Sequence, residues 1–264
     1  MDGGEGGAGG SVPAGTSGTR SADAFLREAD ADFEDASAEC DSVVRGRHTA
    51  SMNRSATQEA GADKLKVGVL VSGGGTNLQA LIDAARAGAP FEVACVVASR
   101  PGIGALARAK AAGIPTLALE RVAYADPASA DARIVEALQR AGVDCVVMAG
   151  YMRKATPVLL NAYPNAVINL HPALLPAFKG AHAIRDAFEA GVKVTGVTVH
   201  LANEDYDRGP IIAQRAVRVH EGDSLDALEA RIHAVEHALL PEVVAKVAEG
   251  KVSIGALGRV EVMR

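Results

Sequence analysis

Asn169 and His171 stand one leucine apart in "AVINLHPALLPAFKG", Ala166 to Gly180. An apolar run ends on them, and Pro172 and Pro176 stiffen the exit. Side chains alternate along extended chain, so positions 169 and 171 project from one face. An amide offers a neutral donor to a developing oxyanion, and an imidazole offers a proton that moves near neutral pH. The pair suits addition of a nucleophile to a carbonyl carbon. Taken alone, N-x-H is equally a capped strand end with two satisfied polar groups. Asp207, in "NEDYDRGPII", directly precedes the apolar stretch "PIIAQ" and would be carried back to the same place. A carboxylate beside an imidazole raises its pKa and can pass a proton through water. By itself this stretch is an ordinary polar turn.

A second kind of chemistry is written in "VSGGGTNLQ". A strand that enters a glycine-rich turn and opens a helix gathers free backbone N–H groups and the positive end of a dipole at one point. That suits a phosphate, and Thr76 and Asn77 add side-chain donors. The dinucleotide fingerprint is incomplete. Gly73 and Gly75 fit its first two positions, but Leu78 fills the third, and the next strand ends in Ser99-Arg100 instead of an acid. The lysine of a P-loop is also missing. The alternative is a tight turn that binds nothing.

These residues need a scaffold, and the chain from Lys64 onward supplies one. "KLKVGVLVS", "FEVACVVAS", "IPTLAL", "VDCVVMAG" and "NAVINL" read as strands. Helical patterns separate them: "TNLQALIDAARAG" closed by Gly88, "GALARAKAAG", "PASADARIVEALQRAG", and a short helix with Thr156 as N-cap and Pro157 at its first position. Near-continuous Val/Ile runs alternating with helices predict an α/β fold with a mostly parallel open sheet covered on both faces. Such sheets bind ligands beyond the carboxyl ends of their strands, where Asn169 and His171 would lie. "VKVTGVTVHLA" and "GPIIAQRAVRV" read as two later strands, antiparallel across a polar loop. A helix from Ser224 to about Gly250 follows, with a bend or break expected at Pro241.

Residues 1–63 differ in texture. They are rich in Gly, Ala, Ser and Asp with scattered hydrophobes, so the sequence predicts a disordered tail there and a single catalytic domain over 64–264. The net charge of −5 gives no general grip on nucleic acid. Cys40, Cys95 and Cys145 are odd in number and far apart, without disulfide or zinc spacing, which points to a reducing cytoplasm. No run is long enough to span a membrane, and the N-terminus lacks the pattern of a signal peptide.

"SGGGTN", "GYMR", "INLHPALLP", "VTGVTVH" and "DYDRGPI" follow one another as in the glycinamide ribonucleotide formyltransferases, folate-dependent enzymes of purine biosynthesis. The resemblance covers residues 65 to about 260. It implies a Rossmann-like formyltransferase fold in which Asn169, His171 and Asp207 match the catalytic trio. It implies 10-formyltetrahydrofolate as the formyl donor, glycinamide ribonucleotide as the acceptor, no metal, no nucleic-acid partner, and a monomer or weak homodimer. Gly74, Gly75, Thr76 and Asn77 match the phosphate-binding turn, and Glu236 matches a carboxylate on the ribose hydroxyls. Arg153 and the 203–207 loop, with Asn169, Asn203 and Asp207, match the folate pocket. His182 and His200 match histidines placed behind the trio. Lys179 stands where relatives often carry proline, and Pro127 stands where some carry an arginine near the folate tail. Two relatives by fold are weighed against this reading. A formyltetrahydrofolate deformylase would carry a regulatory domain ahead of the catalytic one, and a methionyl-tRNA formyltransferase would carry a tRNA-binding domain after it. A non-catalytic nucleotide- or folate-binding module is the third possibility, and only the trio speaks against it.

Overall fold

The computed structural model describes residues 64–255 and 258–263. The expected tail, with Cys40, lies outside the described residues. Seven strands form one sheet in the order β3-β2-β1-β4-β5-β6-β7. They are β1 (Leu65–Val71), β2 (Phe91–Ala98), β3 (Thr116–Ala118), β4 (Cys145–Met148), β5 (Val167–His171), β6 (Val194–Leu201) and β7 (Ile211–Arg218). β1 to β5 are mutually parallel, while β6 runs antiparallel to β5 and β7 antiparallel to β6. This is the mostly parallel, Rossmann-like sheet that the sequence predicts.

Period-two alternation divides the core between the two faces of the sheet. Val67, Val69, Val71, Val96, Val147 and Ile168 pack on one face with helices α1 (Thr76–Arg86), α2 (Gly104–Ala111) and α6 (Leu225–Ala248). Leu70, Val97, Val146 and Val167 pack on the other with α3 (Pro127–Arg140) and α4 (Pro157–Ala162). Both faces of the central strands are therefore dry, which is why those strands read as unbroken apolar runs. A fully buried Leu or Ile such as Leu81 or Ile134 contributes about 1.5–3 kcal/mol relative to exposure.

Four features depart from the sequence reading or add to it. α6 runs unbroken from Leu225 to Ala248 with Pro241 inside it. Leu239, Leu240, Val243 and Val244 are buried on both sides of the proline, and that packing outweighs the lost backbone hydrogen bond. A further helix, α5 (Ala183–Glu189), follows the proline-rich exit from β5, and a short 3-10 helix spans Arg121–Ala125. A small antiparallel pair, β8 (Val252–Ile254) and β9 (Val260–Val262), follows α6. No helix among the described residues is long and apolar enough to cross a membrane.

Candidate active site

Asn169 and His171 are residues of β5 itself and not of the loop beyond it. In the antiparallel register Asn169 pairs with His200 and His171 with Thr198. Cross-strand neighbours on one face lie within side-chain reach. The Asn169 amide nitrogen donates to His200 Nε2 at 3.0 Å, and His200 Nδ1 donates to the Leu201 carbonyl at 2.9 Å. That pattern puts the His200 proton on Nδ1, because a carbonyl oxygen only accepts. His200 is buried at 2% exposure, so it is a wall of the site and not a solvent-facing strand residue.

Asp207 arrives from the loop between β6 and β7. The loop turns back tightly: Leu201 N–H bonds the Pro210 carbonyl at 2.9 Å, and Asp207 adopts φ 51°. Positive φ is uncommon outside glycine, and aspartate is among the residues that tolerate it. Gly209 permits the close approach, since a Cβ there would sit 1.7 Å from the Leu201 oxygen. The carboxylate then faces four groups at once. Oδ1 accepts from Asn169 Nδ2 at 3.4 Å and lies 3.8 Å from His200 Nε2. Oδ2 accepts from Gly180 N–H at 2.9 Å and lies 3.5 Å from His171 Nδ1. Burial opposes ionisation of Asp207. The His200 and Gly180 contacts and the two neighbouring imidazoles outweigh it and hold the carboxyl below its usual range.

His171 is 4% exposed, and its Nε2–H donates to the Phe178 carbonyl at 2.8 Å. The amide and the imidazole do share a face, as the spacing predicts, but they do not both open into the crevice. Arg153, Asn169, His200, Asn203, Tyr206 and Asp207, among others, line a cleft, and His171 stands behind Asp207. His182 is exposed at the N-cap of α5, makes no capping bond, and is hydrogen-bonded to none of the trio.

The glycine turn lies at the same carboxyl edge of the sheet, after β1. Its carbonyls are consumed by α2: Ala105 N–H bonds the Gly73 oxygen at 3.2 Å and Arg108 Nε bonds the Gly74 oxygen at 2.8 Å. Gly75, the N-cap of α1, has φ 74° and supplies no side-chain cap. The first N–H groups of α1 are thus without a capping side chain, which is the donor set an anion needs. Behind them, Asn77 Nδ2 donates to Glu236 Oε2 at 3.0 Å, and His233 Nδ1 donates to the same oxygen at 2.8 Å. Glu236 is 4% exposed, so it is not a solvated helix residue. Asn77 Oδ1 is buried without a partner, an acceptor suited to a hydroxyl donor. His233 is a site neighbour that the sequence reading passes over. Its i,i+3 spacing to Glu236 on a helix is the signal that would have found it. The hydrogen bond to Glu236 lifts its pKa despite partial burial.

Residues 65–244 match the formyl transferase family. The chain belongs to it. Among formyl transferase relatives, the phosphoribosylglycinamide formyltransferase of Bacillus subtilis is 41% identical over 180 residues, 68% of this chain and 92% of the relative. The trifunctional purine biosynthetic protein adenosine-3 of Gallus gallus is 39% identical over 199 residues, which is 75% of this chain and 20% of that protein. The chain thus spans 14–20% of the length of the trifunctional relatives it matches. The crystal structure of glycinamide ribonucleotide transformylase 1 from Symbiobacterium toebii superposes with a TM-score of 0.75 at 44% identity, covering 79% of this chain and 98% of that one. Its fold is therefore that of the solved formyl transferases.

Proposed function

We propose that this protein transfers the formyl group of 10-formyltetrahydrofolate to the amine of glycinamide ribonucleotide, a step of purine biosynthesis. The observation that carries the reading is the Asp207 carboxylate, which meets His171, His200 and Asn169 at the same edge of the sheet as a glycine turn with uncapped N–H groups. The likeness to the phosphoribosylglycinamide formyltransferases over about nine-tenths of their length supports the same pair of substrates.

In this reading the phosphate sits on Gly74, Gly75, Thr76 and Asn77, and Glu236 with Asn77 takes the ribose hydroxyls. The folate occupies the cleft lined by Arg153, Asn169, Asn203 and Asp207. The substrate amine attacks the formyl carbon, forming a C–N bond and placing negative charge on the formyl oxygen. Asn169 and the Nε2–H of His171 stabilise that oxyanion. Both are engaged within the protein, so His171 Nε2 must exchange the Phe178 carbonyl, and Asn169 its long 3.4 Å bond, for the substrate oxygen. Asp207 holds the His171 ring in place from its Nδ1 side and orders a water that carries the amine proton toward N10. The C–N10 bond then breaks and tetrahydrofolate leaves.

The test supplies 10-formyltetrahydrofolate with and without glycinamide ribonucleotide and follows both products. Stoichiometric formyl transfer that needs the acceptor supports the proposal. Tetrahydrofolate released at the same rate without acceptor would assign a hydrolase instead.

A further inference from the structure

One wall of the cleft is a strap between β4 and α4 that carries Arg153, Lys154 and Ala155. It is pinned at both ends by buried side chains from elsewhere in the chain. At one end Met152 N–H donates to Ser72 Oγ at 2.9 Å, and that hydroxyl also accepts from Ser99 Oγ at 2.7 Å. Ser72 follows β1 and Ser99 follows β2, so the bridge crosses adjacent strand ends and links the strap to the entry of the glycine turn. At the other end Thr156 N–H donates to Asp131 Oδ2 at 2.6 Å. Asp131 is 2% exposed on α3, where a charged group is expensive unless it has a task. Between the pins the Arg153 guanidinium lies 4.4 Å above the Tyr124 ring, and Tyr124 shares a 3.0 Å hydroxyl contact with Tyr151. None of these three anchors touches the Asn169–His171–Asp207 group.

We propose that Asp131 and Ser72 are positioning residues that set the Arg153 wall, and so decide affinity for the occupant of the cleft without taking part in the chemistry. This rests on the reading of that cleft as the folate site. A strap held only by its covalent ends samples many settings, and a ligand must then select the bound one from a diluted population. Asp131→Ala frees the Thr156 end and Ser72→Ala frees the Met152 end. Asp131→Asn keeps an acceptor oxygen in place. Ser99→Ala leaves Ser72 able to accept from Met152 and only loosens its rotamer.

The test measures tetrahydrofolate binding by calorimetry, and separately the kcat and both KM values of formyl transfer. Asp131→Ala and Ser72→Ala are each expected to weaken tetrahydrofolate about five- to tenfold, the scale of one lost hydrogen bond. The KM for 10-formyltetrahydrofolate rises by the same factor, while kcat at saturation stays within about twofold of wild type. Asp131→Asn restores most of the affinity, and Ser99→Ala falls between. Tetrahydrofolate affinity within about twofold of wild type in both alanine variants overturns the proposal. So does a loss spread evenly over kcat and both KM values that follows the loss of Tm. If Asp131→Ala does not fold, Ser72→Ala decides the matter from the other end of the strap. Wild-type protein that binds no tetrahydrofolate would instead sink the reading of the cleft.

Discussion

Asp207 is the residue on which the site is organised, and its environment sets what substitution and pH should do. Asp207→Asn keeps the shape but removes the charge that faces His171 and His200. His171→Ala removes the imidazole itself. Each is expected to lower kcat by about 10²–10⁴-fold with little change in acceptor binding, as for a lost proton-transfer group or oxyanion donor. Steady-state kinetics check this, and near-native turnover in either variant would reject the assigned roles. The lowered pKa of Asp207 carries a sign. Its folded value lies below its unfolded value, so its stabilisation is present above the ordinary carboxylate range and is lost as pH falls through the folded pKa. Tm should therefore drop below about pH 4 in wild type, and less steeply in Asp207→Asn. His233 behaves oppositely. Its raised pKa makes the contact with Glu236 strongest below about pH 6.5, and weaker as pH climbs through the folded value. An NMR titration of the His233 ring should give a midpoint above the ordinary one in wild type and a lower one in Glu236→Gln. Equal midpoints would show that Glu236 is not the cause.

Elements bring these residues together, and much of that scaffold is legible in the chain. Val/Ile runs alternating with amphipathic helices specify the parallel part of the sheet, because a strand buried on both faces has no polar side to show. The N-x-H spacing specifies a shared face on β5. Less is legible where position depends on tertiary contact. That Glu236 is buried follows from α6 laying it against Asn77, across 159 residues of chain. That His171 bonds the Phe178 carbonyl follows from the path of the 172–180 turn, which proline content alone does not fix. That His200 lines the cleft follows from its register opposite Asn169, and a polar residue in an alternating strand does not announce its partner. Gly209 belongs to this scale too. It is needed because the 203–209 loop passes against the Leu201 carbonyl, so Gly209→Ala must push that loop outward and take Asp207 with it. The expected result is a loss of about 1–3 kcal/mol in urea unfolding together with a fall in kcat. Unchanged kcat would mean that the loop's path does not place Asp207.

At the scale of the whole molecule, β1 feeds both core clusters among the described residues and lies between β2 and β4 in the sheet. Residues 1–60 contribute few hydrophobes by composition, and we expect their removal to leave folding and activity nearly unchanged. The cysteines give this a direct readout. Cys40 leaves with the deleted segment, and the two that stay, Cys95 and Cys145, are buried on β2 and β4 with burial pushing both thiols up to about 12. A thiolate is the reactive form, so a thiol that is both enclosed and held protonated is inert while the sheet is intact. The truncated protein should therefore give no colour with a thiol-specific disulfide reagent under native conditions. It should give two equivalents once unfolded in urea, with a midpoint matching that of the full chain. A thiol that reacts natively after truncation, or an earlier midpoint, would mean that the first sixty residues help to close this core, and that the sheet from Leu65 onward does not stand by itself.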